Sequence, residues 1–258
     1  MPRRPRSVKK VYIPQTIAAE IGARILSGAL KPDMNLGTEA AASDDRLISR
    51  PAYREAIRTL VAKGLVQAWP RSGTRVTQRT AWHLLDPEVL HWMFAHNPKL
   101  ENIVALFELR GIIEPQIVAL AARRRTLNQL VEMGAALEMM GRATLKSEEG
   151  RQADIVFHEK LIEACGNPFL ISLRSSVTAA ITGSTLYKYK AGKLNRDPMP
   201  EHLRVFEAVA AGDSEAGAEA MRELIRWALN DALPGVKPGR IPAEPGGHPA
   251  PDGKRRPK

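Results

Sequence analysis

Asp154 and His158 stand four residues apart in the run Asp154-Ile155-Val156-Phe157-His158. On a helix that spacing puts a carboxylate and an imidazole on one face, and the face continues through Leu161, Ile162 and Cys165, so it points inward. Two polar groups buried side by side need partners. Either they hydrogen-bond to each other, or a divalent metal takes both. His202 opens another inward face with Phe206 and Val209. Arg110 lies on the apolar stripe Ile103, Leu106, Phe107, Ile113 and Ile117, so its guanidinium also faces the core and requires an anion. Glu114, one turn on, is one such anion and a ligand carboxylate is another. Asn167 precedes Pro168 at a helix boundary and is a further pocket candidate. The single cysteine, Cys165, sits in an apolar run and reads as a small buried hydrophobe.

A different chemistry is suggested by Arg50, Arg54 and Arg58, which line one side of a helix with no acid at i+4 to pair with them. The arginine fork matches guanine edges and phosphate oxygens. Alone, such a row is equally a solvated basic face. Here Ser49 provides an N-cap, Tyr53, Ile57, Leu60 and Val61 form the inward stripe, and Gly64 closes the helix. Leu65 to Val76 then has the look of two strands around a Ser72-Gly73 turn flanked by Arg71 and Arg75. Helix, hairpin and charged wing together make a DNA-reading surface of Ser49, Arg50, Tyr53, Arg54, Arg58, Arg71, Gly73 and Arg75.

The elements that must hold these residues are almost all helices. An amphipathic helix runs from about Pro14 to Gly28 with Ile17, Ile21, Ile25 and Leu26 on one face, and a short one is expected from Thr38 to Asp45. The fold class is mainly α, a winged helix-turn-helix followed by an all-α antiparallel bundle. The net charge is +10, and its distribution says more than its size. Residues 1–10 hold five Lys/Arg and no acid, and residues 234–258 hold six against two acids. Between them, residues 11–79 carry ten Lys/Arg against six acids, whereas residues 80–233 are slightly acidic. The expected organisation is a basic arm (1–10), a DNA-binding domain (11–79), an all-helical domain (80–233) and a disordered basic tail (234–258). No run approaches the roughly 18 apolar residues of a membrane span, and the start lacks a signal-peptide core, so no membrane partner and a cytoplasmic location are expected.

The run Ser49-Arg50, Arg54-Glu55-Ala56, Gly64-Leu65-Val66 and Gly73-Thr74 resembles the GntR family of winged-helix regulators. The resemblance implies that Arg50 and Arg54 contact the operator and that the wing near Gly73 reaches the minor groove. Three positions depart from the family pattern: Leu47 and Asp33 stand where glycine is usual, and Ala40 where some members have arginine. Residues 85–232 resemble the helical ligand-binding domain of the fatty-acid-regulator (FCD) subgroup, through Phe107-Glu108-Leu109-Arg110, Glu114-Pro115, Asp154 to His158, Asn167-Pro168, Glu201-His202 and Gly212-Asp213. Trp82 to Trp92 resembles the galactonate branch of that subgroup.

What the resemblance implies is a homodimer that reads a palindromic operator in double-stranded DNA and represses until a small carboxylate binds. It also implies a divalent metal on Asp154, His158 and His202, zinc first, with nickel and manganese as alternatives. The family's third histidine is Leu224 here, with Ala220, Met221 and Trp227 around it as core, leaving positions for a sugar acid such as galactonate. Arg110 and Asn167 would then touch the effector. Two rivals are a metallohydrolase using Asp154, His158 and His202, and a nonspecific basic DNA binder. No catalytic spacing accompanies the three ligands, so the chain is not expected to be an enzyme.

Overall fold

The computed structural model describes residues 13–37, 48–69, 72–95, 98–193 and 196–234. The basic arm, the helix expected from Thr38, Arg71 and nearly all of the C-terminal tail lie outside them.

Helix α1 (Pro14–Leu26) begins with proline in its first turn, where a missing N–H costs nothing, and buries Ile17, Ala18, Ile21, Ile25 and Leu26. It packs on α2 (Arg50–Ala62), which Ser49 caps by accepting a hydrogen bond from the Ala52 amide. Tyr53, Ile57 and Leu60 fill the seam. Val61, expected inward, is 43% exposed, because the 53–57–60 line already meets α1 and leaves residue 61 at its edge. Strands β1 (Val66–Trp69) and β2 (Gly73–Val76) form the expected antiparallel hairpin, with Val66 opposite Val76.

The sequence reading missed a third extended piece. The Leu36 amide donates to the Thr74 carbonyl (2.7 Å), Thr74 to Gly37 (3.2 Å), Val76 to Met34 (3.0 Å) and Asp33 to Val76 (2.9 Å). Residues 33–37 thus line the free edge of β2. Asp33, in a glycine position of the family, adopts a φ of +67°, a region that aspartate tolerates better than most residues. Its carboxylate accepts from Gln78 at 2.7 Å.

A 3-10 turn (Arg79–Ala81) leads to α3 (Pro87–Ala95), whose first turn is capped by Asp86 through the Glu88 and Val89 amides. Lys63, at the end of α2, grips that start through Asp86 (2.8 Å) and Glu88 (2.7 Å). α3 packs between α1 and the bundle, and glycines permit it: a Cβ at Gly22 would lie 2.4 Å from the Trp92 ring, and one at Gly183 2.7 Å from Phe94.

The bundle comprises α4 (Leu100–Arg124), α5 (Leu127–Ala143), α6 (Glu148–Ala164), a one-turn α7 (Pro168–Ser172), α8 (Arg174–Lys190), α9 (Met199–Ala211) and α10 (Ser214–Ala232). Local signals start these helices. Thr126 and Gln129 form a reciprocal capping box, and Ser147 and Asp213 cap α6 and α10. α4 is central, meeting α6, α8, α9 and α10. It also reaches the linker, since Arg79 bonds to Asn102 and lies 3.1 Å from Glu101. No helix of the described residues is long and apolar enough to cross a membrane.

Candidate functional site

The four helices around α4 bring Asp154, His158 and His202 together. All three are buried, and one ligand atom from each lies within 4.8 Å of the others. Phe157 meets both imidazoles edge-on, with ring centroids 5.8 Å from His158 and 5.6 Å from His202, and the two imidazoles meet each other the same way at 5.7 Å.

His202 Nδ1 lies 2.8 Å from the Pro198 carbonyl oxygen, and its Nε2 lies 3.0 Å from Asp154 Oδ1. A carbonyl oxygen only accepts, so Nδ1 carries a proton. In the neutral ring Nε2 then holds a lone pair that faces a carboxylate oxygen, and two lone pairs do not remain at that distance. Either a second proton or a cation must lie between them. Burial would raise the Asp154 pKa, but the hydrogen bond from His202 and the charges of His202, His158 and Lys188 outweigh it and hold the carboxyl well below its usual range. The site therefore contains a fixed anion.

His158 is arranged alike. Its Nε2 is 3.7 Å from Asp154 Oδ1, and its Nδ1 is 3.4 Å from Glu114 Oε2. That second approach falls short of a formed hydrogen bond, leaving Glu114 Oε2 a buried acceptor without a donor among the described residues. A histidine with a carboxylate behind one nitrogen and a second ligand atom beside the other is the arrangement in which outer carboxylates orient metal-binding imidazoles. The donor set of two imidazoles and one carboxylate, plus the open acceptor on Glu114, fits a divalent metal.

Arg110 meets the nearer of its two candidate anions. Its Nε donates to Glu114 Oε1 at 2.6 Å and its Nη1 to Ser184 Oγ at 3.1 Å, with Phe107 stacked 5.2 Å away. Burial would raise the Glu114 pKa, yet the charges of Arg110 and His158 pull it far below the ordinary range. Arg110 still lines the space shared by Asp154, His158, His202, Lys188 and Leu224, about 360 Å³ counting the part open to solvent.

Asn167 is not in this group. Its side-chain oxygen accepts from the Phe169 amide at 3.0 Å, capping α7, and it does not line that space. Leu224 is buried and lines the cavity, whereas Trp227, expected as core, is 40% exposed and carries the Arg196 guanidinium over its ring at 5.4 Å. Cys165 is fully buried. The sequence reading also passed over Lys188, Thr185 and Arg196. Lys188 was findable: Val177, Ile181, Ser184 and Lys188 fall at helical spacing on one buried line, so the lysine interrupts an apolar stripe.

On the other domain Arg50, Arg54, Arg58 and Arg75 are exposed, as a nucleic-acid face requires. Arg58 nevertheless pairs with Glu55 at i−3 (2.7 Å), and Arg75 donates to the Asp33 carbonyl (3.2 Å). Tyr53 is 4% exposed, so its ring supports the helix from behind rather than standing on its outer face. Gly73 turns the wing with a φ of +84°.

A helix carrying exposed arginines, a hairpin wing and a helical bundle enclosing a carboxylate-histidine cavity define a two-part DNA-binding regulator with a ligand-binding domain. The comparisons name the group. Residues 14–76 match the family model "Bacterial regulatory proteins, gntR family", and residues 105–226 match "FCD domain". The uncharacterized HTH-type transcriptional regulator YieP of Escherichia coli (strain K12) is 30% identical over 219 residues, covering 81% of this chain and 91% of its own. The galactonate operon transcriptional repressor of the same organism is 29% identical over 210 residues, covering 81% and 92%. A solved structure titled for Lar, which controls the Listeria monocytogenes agr system, superimposes with a TM-score of 0.58 at 18% identity, covering 87% and 98% of the two chains. The chain belongs to the GntR family of transcriptional regulators and carries an FCD domain; it is a regulator and not an enzyme.

Proposed function

We propose that this regulator represses a sugar-acid catabolic operon and leaves its operator when a small hydroxy-carboxylate enters the cavity of the FCD domain. The observation that carries the reading is the Asp154, His158 and His202 cluster, in which Nδ1 of His202 is committed to Pro198 and its Nε2 is left facing Asp154. Zinc suits two imidazoles and one carboxylate best, with nickel and manganese as alternatives. Such an ion would supply a Lewis-acidic position for carboxylate and hydroxyl oxygens. Leu224 offers no further ligand atom, which leaves coordination sites open to a bound acid. Arg110 lines the same space and favours an anion there.

A sugar acid such as galactonate is supported by the name of one relative and by the polar lining. The protein is read as a cytoplasmic homodimer on a palindromic operator, because one winged helix covers too little duplex for useful specificity. Linkage requires the DNA-bound form to bind the acid less tightly. The test combines metal analysis of the purified protein, a thermal-shift screen of sugar acids and operator binding by fluorescence anisotropy. The reading expects about one divalent ion per chain and operator release by a sugar acid. A metal-stripped protein that responds to the acid as fully as the loaded one would refute the metal half, and release by no hydroxy-acid would refute the effector half.

A further inference from the structure

Lys188 is 6% exposed, yet its ammonium has no hydrogen bond and no ion pair with any described residue. Every other charge on the wall is answered. Arg110 faces Glu114 at 2.6 Å, and Arg196 faces Glu201 at 2.6 Å and Asp231 at 3.3 Å. Arg204 shares Glu201 at 3.4 Å. Asp154 faces His202 Nε2 at 3.0 Å, which leaves Lys188, and Lys188 lines the cavity beside Thr185, His158 and His202. Burial lowers the lysine pKa to about 8, so it remains an ammonium at neutral pH.

A divalent ion on Asp154 and the two neutral histidines changes the balance of the enclosure. The ion and Lys188 together outweigh Asp154 by two positive charges. A monoanionic sugar acid would leave one of them unanswered in a buried space, which is costly. We propose that Lys188 is a second anion-binding post, and that the effector carries at least two negative charges: a hydroxy acid with a second anionic group at its far end. A terminal carboxylate adds one charge and a terminal phosphate about 1.5 to 2 at pH 7, and either would meet the lysine. This rests on the metal-bound acid reading above and adds a requirement to it.

The experiment uses zinc-loaded full-length protein and isothermal titration with three probes: galactonate as monoanion, galactarate as dicarboxylate and 6-phosphogluconate as phosphorylated acid. At least one of the two acids with a second anionic group should bind tenfold or more tighter than galactonate, and which one does so distinguishes the two sources. Lys188→Met keeps the volume of the side chain and removes its charge. It should abolish the preference while changing galactonate affinity by less than threefold, and it should melt no lower than wild type, because an unpaired buried charge is gone. Equal affinities for all three acids in wild type would overturn the proposal even if Lys188→Met failed to fold, as would a preference that survives the substitution. If galactonate binds and His158→Ala abolishes its binding, but neither acid with a second anionic group is preferred, only this inference fails. If zinc itself does not bind, the reading beneath it fails as well.

Discussion

Glu114→Gln separates the two tasks that the structure gives this carboxylate. Glu114 is 3% exposed and is the one ion-pair partner of Arg110 among the described residues. Removing its charge leaves a buried guanidinium unanswered, a change that costs about 3–5 kcal/mol. At roughly 2–4 °C per kcal/mol for a chain of this size, the melting temperature should fall by about 6–20 °C. The same carboxylate stands behind His158 Nδ1 at 3.4 Å, and loss of such a partner lowers metal affinity by about 10–100-fold. The double variant Arg110→Met/Glu114→Gln removes both charges. It should recover most of the stability but none of the metal affinity, since the guanidinium is gone and the histidine is still unsupported. Thermal denaturation of metal-free protein reads the first effect, and zinc competition against a chromophoric chelator reads the second. Zinc affinity within twofold of wild type in Glu114→Gln would refute the view that Glu114 orients His158. A double variant no more stable than the single one would refute the charge argument.

Three further outcomes follow from other parts of the molecule. Arg54→Ala should lose about 1–3 kcal/mol of operator discrimination with an unchanged melting curve, measured by anisotropy against operator and scrambled duplexes; wild-type discrimination would remove α2 as the reading helix. Asp86 has its pKa lowered, because the hydrogen bonds from Lys63 and the backbone outweigh the upward push of burial, so its contribution to stability is present above the ordinary carboxylate range and lost as pH falls through the lowered value. Asp86→Asn should therefore cost about 1 kcal/mol in urea melts at pH 7, a difference that shrinks as pH falls through the lowered value, and a pH-independent difference would contradict this. Arg79→Ala cuts the bonds from the linker turn to Glu101 and Asn102 on α4, and should weaken operator release by the effector several-fold while each ligand still binds. Unchanged coupling would show that the signal does not pass through α4.

The features that were readable in the chain are those whose cause is local. Four-residue spacing on one apolar face located Asp154 and His158, an N-cap and a Gly-Leu-Val run located α2 and the hairpin, and a cation on an apolar stripe located Arg110. What escaped notice depends on contacts between residues far apart in sequence. Residues 33–37 pair with β2 across about forty residues, and nothing in Asn35-Leu36-Gly37 alone announces a strand. Asn167 carries the same polar amide whether it caps a helix or lines a pocket, and only the position of Phe169 decides. Trp227 is expected as core because it flanks Leu224 on the last helix, but the guanidinium of Arg196, 31 residues earlier, lies over its face instead. Lys188 is the instructive case. Like Arg110 it is a cation on an apolar stripe, yet a lysine is easily read as a flexible chain that reaches solvent. The bundle buries most of this one and, among the described residues, brings no carboxylate into hydrogen-bond contact with it, and that arrangement, which no spacing pattern encodes, is what makes its charge available to a ligand.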